Sequence, residues 1–223
     1  MRTGKEVLIL GCFLTSAFML PAAAHSELYI AGQLGGAFPG KLDNAKGTGS
    51  RSGDTFSSFD LTNSFVIGGK IGYFLDSHPW LGVELDGYTT TPKIKQQTIQ
   101  RTFTSGGVTF TQNINQKEAE LRVTTVALNL MLRYPGETWQ PYVGGGPGFF
   151  RTTGKDFFTD TSTGVGFNFV AGLRVFVIKH LAVFGEFKYF GAKFKFDNAF
   201  GPGAGIEDDY KASQIVAGVS YHF

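Results

Sequence analysis

Four histidines, at positions 25, 78, 180 and 222, are the side chains best suited to proton transfer at neutral pH. A Ser-His-acid relay requires nucleophile, imidazole and carboxylate within hydrogen-bond reach of one another. A His-based metal centre favours two histidines at i,i+2 or i,i+4, and no pair here is so spaced. His78 and His180 stand in short turn-like stretches, His222 beside the C-terminus and His25 at the expected start of the mature chain, so all four read as solvated or interfacial. The sequence therefore predicts no catalytic residue, no metal site and no bound cofactor. The single cysteine, Cys12, excludes a disulfide framework and any Cys-based zinc site.

A second set of residues is charged where its neighbours are not. Lys70, Glu84, Asp86, Arg133, Arg174, Glu186 and Lys188 occupy alternate positions in segments whose other positions are apolar. Gathered on one interior surface, such groups must pair or stay wet, because an unpaired buried charge is very costly. They could form a salt-bridge gate in a narrow conduction path, or a paired polar plug that fixes strand register. The second reading is favoured. Glu186 is expected to pair with one or more of Arg133, Arg174 and Lys188, with Arg174 as a cross-strand neighbour.

The segments that carry these charges have period two, the signature of strands whose two faces meet different surroundings. Eight of them run near 28–38, 64–75, 80–88, 121–134, 141–150, 167–175, 181–189 and 213–223. In the fourth, Val126, Leu128, Leu130, Leu132 and Tyr134 oppose Thr125, Asn129 and Arg133. Parity alone also suits a soluble sandwich or a lipocalin-type barrel with its polar face in water. Connection lengths separate the alternatives. Long connections at 39–62, 89–120, 151–164 and 191–212 alternate with short ones around 76–79, 135–138 and 178–180. Tight turns on one side of a membrane and extended loops on the other produce that alternation in an up-and-down barrel.

Aromatic placement agrees. Tyr73, Trp80, Tyr134, Trp139, Tyr221 and Phe223 fall at the short-turn end, and Phe38, Phe65, Tyr88, Phe149, Phe167 and Tyr189 toward the long loops, as two interfacial belts. Residues 1–24 read as a secretory signal peptide. Arg2 and Lys5 precede an apolar run at 7–20, and Ala22, Ala23 and Ala24 supply a cleavage site, so Cys12 leaves with the signal and 25–223 form the barrel domain. The composition, 42% hydrophobic and 15% aromatic with 17% charged residues, excludes disorder. A formal charge of +2 without a basic stripe excludes nucleic acid as a partner. The 31 glycines suit inward positions beside large side chains in a narrow barrel. Pro147 within the fifth segment is expected to mark a bulge.

The stretches Pro141-Tyr142-Val143-Gly144-Gly145-Gly146, Phe169-Val170-Ala171-Gly172-Leu173-Arg174, Glu186-Phe187-Lys188-Tyr189 and Gly218-Val219-Ser220-Tyr221-His222-Phe223 carry a family resemblance. They resemble the small eight-stranded outer-membrane β-barrel family, which includes the transmembrane domain of outer membrane protein A and the outer membrane protein X-like barrels. The resemblance covers the whole mature chain. It implies an all-β, eight-stranded antiparallel up-and-down transmembrane barrel in the outer membrane of a Gram-negative-type envelope, in contact with outer-membrane lipids and lipopolysaccharide. Val219, Tyr221 and Phe223 resemble the family's assembly signal, read by the barrel-assembly machinery. Loss of Phe223 should then impair insertion.

One such fold hosts many activities. The sequence supports a non-enzymatic structural or surface-interaction role, adhesin-like, through the loops at 39–62, 89–120, 151–164 and 191–212. Residues 93–118 read as a hairpin about Ser105-Gly106-Gly107 that extends strands three and four, making them the longest, and leaves an edge for β-augmentation or a flap over the mouth. Lys193-Phe194-Lys195-Phe196, followed by Glu207-Asp208-Asp209, reads as a solvated charged loop or as a cation or lipopolysaccharide contact. The alternatives are a narrow, porin-like diffusion channel and a lipid-A-modifying enzyme.

Overall fold

The computed structural model describes residues 27–42, 45–154, 161–198 and 201–223. The expected signal peptide and His25 lie outside the described residues. In chain order the strands are β1 (Glu27–Pro39), β2 (Lys46–Gly49), β3 (Thr55–Phe56), β4 (Ser64–Phe74), β5 (Leu81–Thr90), β6 (Lys93–Ile94), β7 (Gln97–Ser105), β8 (Val108–Gln116), β9 (Ala119–Arg133), β10 (Trp139–Gly154), β11 (Thr161–Ile178), β12 (Leu181–Phe196) and β13 (Ala204–His222). Eight of them, β1-β4-β5-β9-β10-β11-β12-β13, pair antiparallel in chain order, and β13 pairs back onto β1 to close the barrel. These are the eight segments expected from the period-two pattern.

Alternation is what closes the sheet this way, because each strand has one face fit for apolar surroundings and one that is not. On β9 the outward Val126, Leu128, Leu130 and Leu132 are 42–56% exposed, while Ala127, Asn129 and Met131 are fully buried. The apolar run 126–134 at roughly 3.4 Å per residue and a tilt of about 40° covers roughly 20–25 Å, the height of a hydrocarbon-facing band. Inward glycines keep the narrow interior open. A Cβ on Gly172 would lie 2.7 Å from Glu186 Cγ and 2.7 Å from the Tyr142 ring. Gly172→Ala should therefore destabilise the barrel by about 1–3 kcal/mol through overpacking, read from urea unfolding in lipid vesicles. An unchanged midpoint would show that the interior yields.

Several expectations need correction. The third and fourth barrel strands, β5 with 10 residues and β9 with 15, are not the longest; β13 has 19 and β11 has 18. The cause is local. Pro92 has no N–H to offer the ladder, pairing resumes only as β6 against Ala119 and Glu120, and the chain then leaves β9. Meanwhile β10 to β13 run unbroken into the stretches expected as loops at 151–164 and 191–212. Pro147 makes no bulge. Gly145 faces Leu130 and Gly148 faces Ala127 in one unchanged register, so two pairings are simply missing between them. The register shift falls instead between Phe176 and Ile178 on β11. Tyr88 belongs to no outer belt, since it points inward and is buried.

The hairpin is real but differently attached. Gly106 (φ 59°) and Gly107 (φ 80°) supply two positive φ angles. These are what a two-residue turn requires, and the turn joins β7 to β8. β7 pairs with β3, β3 with β2, and β2 with the outer end of β13, so the barrel sheet continues outward as β13-β2-β3-β7-β8. β8 is the open edge. Beneath this sheet Phe56, Phe59 and Leu61 turn into the mouth and join Tyr88, Ile99, Phe150, Phe190, Phe194 and Tyr210 in an apolar layer filling the outer half of the lumen.

Candidate functional site

The inward charges meet at mid-barrel. Lys70 Nζ donates to both carboxylate oxygens of Glu186 at 2.6 and 2.8 Å and to Glu84 Oε1 at 3.1 Å, and lies 3.7 Å from Asp86 Oδ2. Lys188 Nζ donates to Asp86 Oδ2 at 2.5 Å and to Gln33 Oε1 at 2.7 Å, with Glu186 Oε2 at 3.8 Å. Neutral donors complete the shells: Tyr29 to Glu84 at 2.6 Å, Tyr142 to Glu186 at 2.5 Å, Gln33 to Asp86 at 2.6 Å and Asn129 to Glu84 at 3.3 Å. Every carboxylate here is paired, as burial at this depth demands.

Arg133 and Arg174 do not join this group. They sit nearer the short-turn end, where Arg133 Nη1 contacts Glu27 Oε2 at 2.5 Å and donates to Gln140 Oε1 at 3.1 Å. Arg174 Nη1 is 4.0 Å from Glu27 Oε1, and its guanidinium lies 4.3 Å from the centroid of the Tyr29 ring. Register explains the separation: Glu186 faces Gly172, whereas Arg174 faces Phe184, two positions away. Five of the seven expected residues thus form one network and two form another around Glu27. Together the two networks hold four cations and four carboxylates, so as a pair they are neutral. Glu27, Tyr29, Gln33 and Tyr142 are functional neighbours that the charge pattern missed. For all four a signal existed, since Glu27, Tyr29 and Gln33 share the inward parity of β1 and Tyr142 that of β10.

The histidines divide. His78 is exposed beside Ser77, and His180 bonds the His222 carbonyl at 2.9 Å. His222 is buried between Tyr29 and Phe176, with ring centroids at 5.2 and 4.8 Å. Its Nδ1 contacts the Glu27 carboxylate and its Nε2 lies 2.8 Å from Ser220 Oγ. This is the connectivity of a Ser-His-acid relay, which the spacing of histidines alone could not reveal. Its surroundings differ from those of a nucleophile. Ser220 is buried, and the adjoining mouth, a cavity of about 800 Å³, is lined by Glu27, Arg133 and His222 but not by Ser220. Among the described residues no group of three or more His, Cys, Asp and Glu is placed to hold a metal ion. Val219, Tyr221 and Phe223 all face outward, with the Tyr221 and Phe223 rings 5.0 Å apart.

A closed eight-stranded barrel, apolar outside and charged within, with tight turns at one end and long extensions at the other, defines a transmembrane barrel of the outer-membrane type. Residues 10–223 match the model of the outer membrane protein beta-barrel domain, and the chain belongs to that family. Its fold is similar to OprG of Pseudomonas aeruginosa (TM-score 0.54, 15% identity, covering 90% of this chain and 96% of that one). It is also similar to Neisserial surface protein A (TM-score 0.54, 14% identity, covering 88% and 97%). No curated protein matches the chain. The protein resides in the cell outer membrane, among its lipids.

Proposed function

We propose that this barrel is a non-enzymatic surface-interaction protein whose extracellular sheet captures a strand of another protein at the β8 edge. The observation that carries this is the edge itself. β8 reads Val-Thr-Phe-Thr-Gln-Asn-Ile-Asn-Gln, exposed along most of its length, with no charge and no proline. Natural sheets usually guard an edge with lysine, proline or a bulge, because bare backbone N–H and C=O groups template pairing. Here β7 backs β8 over nine register pairs, so the edge is held straight, and Phe103 stacks on Phe110 at 5.6 Å to stiffen it. Backbone pairing would supply affinity, and Phe110, Ile114 and the Thr and Asn side chains specificity. Export by the 1–24 signal, cleavage after Ala24 and assembly through Val219, Tyr221 and Phe223 belong to the same proposal.

Cells displaying the barrel should bind host-cell layers or neighbouring bacteria, and Thr111→Lys with Asn113→Lys should abolish that adhesion while surface display is retained. Equal adhesion by the double variant would reject the edge as the contact.

The Ser220-His222-Glu27 relay favours a second reading, a hydrolase opening on the periplasmic mouth. A fluorophosphonate serine probe decides it. Ser220 is expected to stay unlabelled in the folded barrel, since it is buried, and labelling lost in Ser220→Ala would establish the enzymatic reading instead.

A further inference from the structure

The outward wall changes character abruptly across β9, β10 and β11. Register sets Val126 beside Phe149 and Phe149 beside Val165, all strongly exposed and apolar. One outward position further toward the loops, Thr124 stands beside Arg151 and Arg151 beside Thr163. Because the long connections lie on the extracellular side, this step marks the edge of the outer leaflet's hydrocarbon. At the step the wall is hollowed into a groove of about 550 Å³, with Val126, Phe149 and Val165 on its membrane side and Thr124, Arg151 and Thr163 on its outer side.

Two arginines stand beside the groove, with Glu120 two positions along β9 from Arg122. Arg122 faces Thr153 while Arg151 faces Thr124, which makes the two arginines diagonal neighbours with Cα atoms about 7–8 Å apart. Both are exposed, and among the described residues neither forms an ion pair with a carboxylate. At that separation an anion between them can accept from both guanidinium groups. Lys193, outward on β12 one strand further round, adds a third cation and lies 3.9 Å from Asp209.

We propose that this groove seats lipid A, the phosphorylated glycolipid of the outer leaflet, with a phosphate between Arg122 and Arg151 and an acyl chain along Val126, Phe149 and Val165. Guanidinium forks match phosphate oxygens in bidentate geometry. The Thr124 and Thr163 hydroxyls stand where a sugar or phosphate oxygen would lie. A free phosphate has no use for the apolar half of the groove, and an uncharged lipid has none for the arginines. The position at the outer edge of the band selects an outer-leaflet amphiphile. The seat is independent of what the β8 edge binds.

The test titrates bisphosphorylated lipid A into the full barrel purified in mild detergent, with retained lipid read by native mass spectrometry. Heat-modifiable gel mobility verifies the fold of each variant. Wild type should retain one lipid A, and Arg122→Ala with Arg151→Ala should weaken retention about ten-fold or more, as loss of charge-assisted hydrogen bonds implies. Val165→Trp, which fills the groove and keeps both arginines, should weaken it severalfold. Lys179→Ala at the opposite end should change nothing, and excess inorganic phosphate should not displace the lipid. Undiminished retention by the double arginine variant would overturn the site. So would equally tight retention of phosphatidylglycerol, or a Val165→Trp variant that binds as wild type does, which would reduce the effect to surface charge.

Discussion

Replacing Lys70 by Met should destabilise the barrel by about 3–5 kcal/mol, the range for breaking a buried ion pair so that its partner is left uncompensated. Lys70 is the hub of the central network, 2.6 Å from Glu186, 3.1 Å from Glu84 and 3.7 Å from Asp86. Its removal leaves three buried carboxylates facing Lys188 alone. Methionine keeps the length of the side chain and loses the charge together with its cation–π placement 5.6 Å from the Phe184 ring centroid, so the effect reports charge more than packing. Urea unfolding from lipid vesicles, followed by gel mobility, measures it, and a loss below about 1 kcal/mol would mean that water reaches the network and screens it. Glu186→Gln should be milder. The central group holds two lysines against three carboxylates, so this substitution neutralises an excess negative charge, and Lys70 retains Glu84 and Asp86. The order Lys70→Met worse than Glu186→Gln follows from the geometry; the reverse order would show that Lys70 is not the hub.

The difference between these two substitutions could not be read from sequence. Parity placed all seven charges on the inner face, because a strand's alternation is local and survives any register. Which charge meets which depends on the stagger between strands, a property of the closed barrel that no single strand encodes. Thus Arg174 and Glu186 share a face and adjoining strands, yet lie two positions out of register, and Glu27 takes both arginines from the far end of the chain. The hairpin divides in the same way. Its turn was legible in Gly106-Gly107, a two-residue signal, but its docking joins segments some forty positions apart, through backbone pairing at Thr55, Phe56 and Ser57, the Asp54–Arg101 ion pair and the Asp60 N–H donating to Gln97 Oε1. Tyr88 shows the opposite error. Its inward parity was visible, and its nearness to a long loop suggested a belt instead; the apolar layer that receives it is built partly from residues 56–61, which carry no periodic signal.

That apolar layer lies in series with the salt-bridge network inside the barrel, and Phe190 tests it. Phe190 is fully buried, with ring centroids 5.4 Å from Phe150, 6.1 Å from Tyr88 and 5.6 Å from Tyr210. Phe190→Ala should cost about 3–5 kcal/mol, the usual loss for emptying a packed aromatic site, at the high end if β12 cannot move inward to fill the void. Conductance separates the two layers. Phe190→Ala leaves the salt-bridge network intact, and Lys70→Met leaves the aromatic layer intact, so neither alone should pass steady current in a planar bilayer. Only the double variant, if it still folds, removes both barriers in series. A steady current from Phe190→Ala alone would mean that ions pass between the paired charges, and the channel reading would then replace that of a closed anchor for the extracellular sheet.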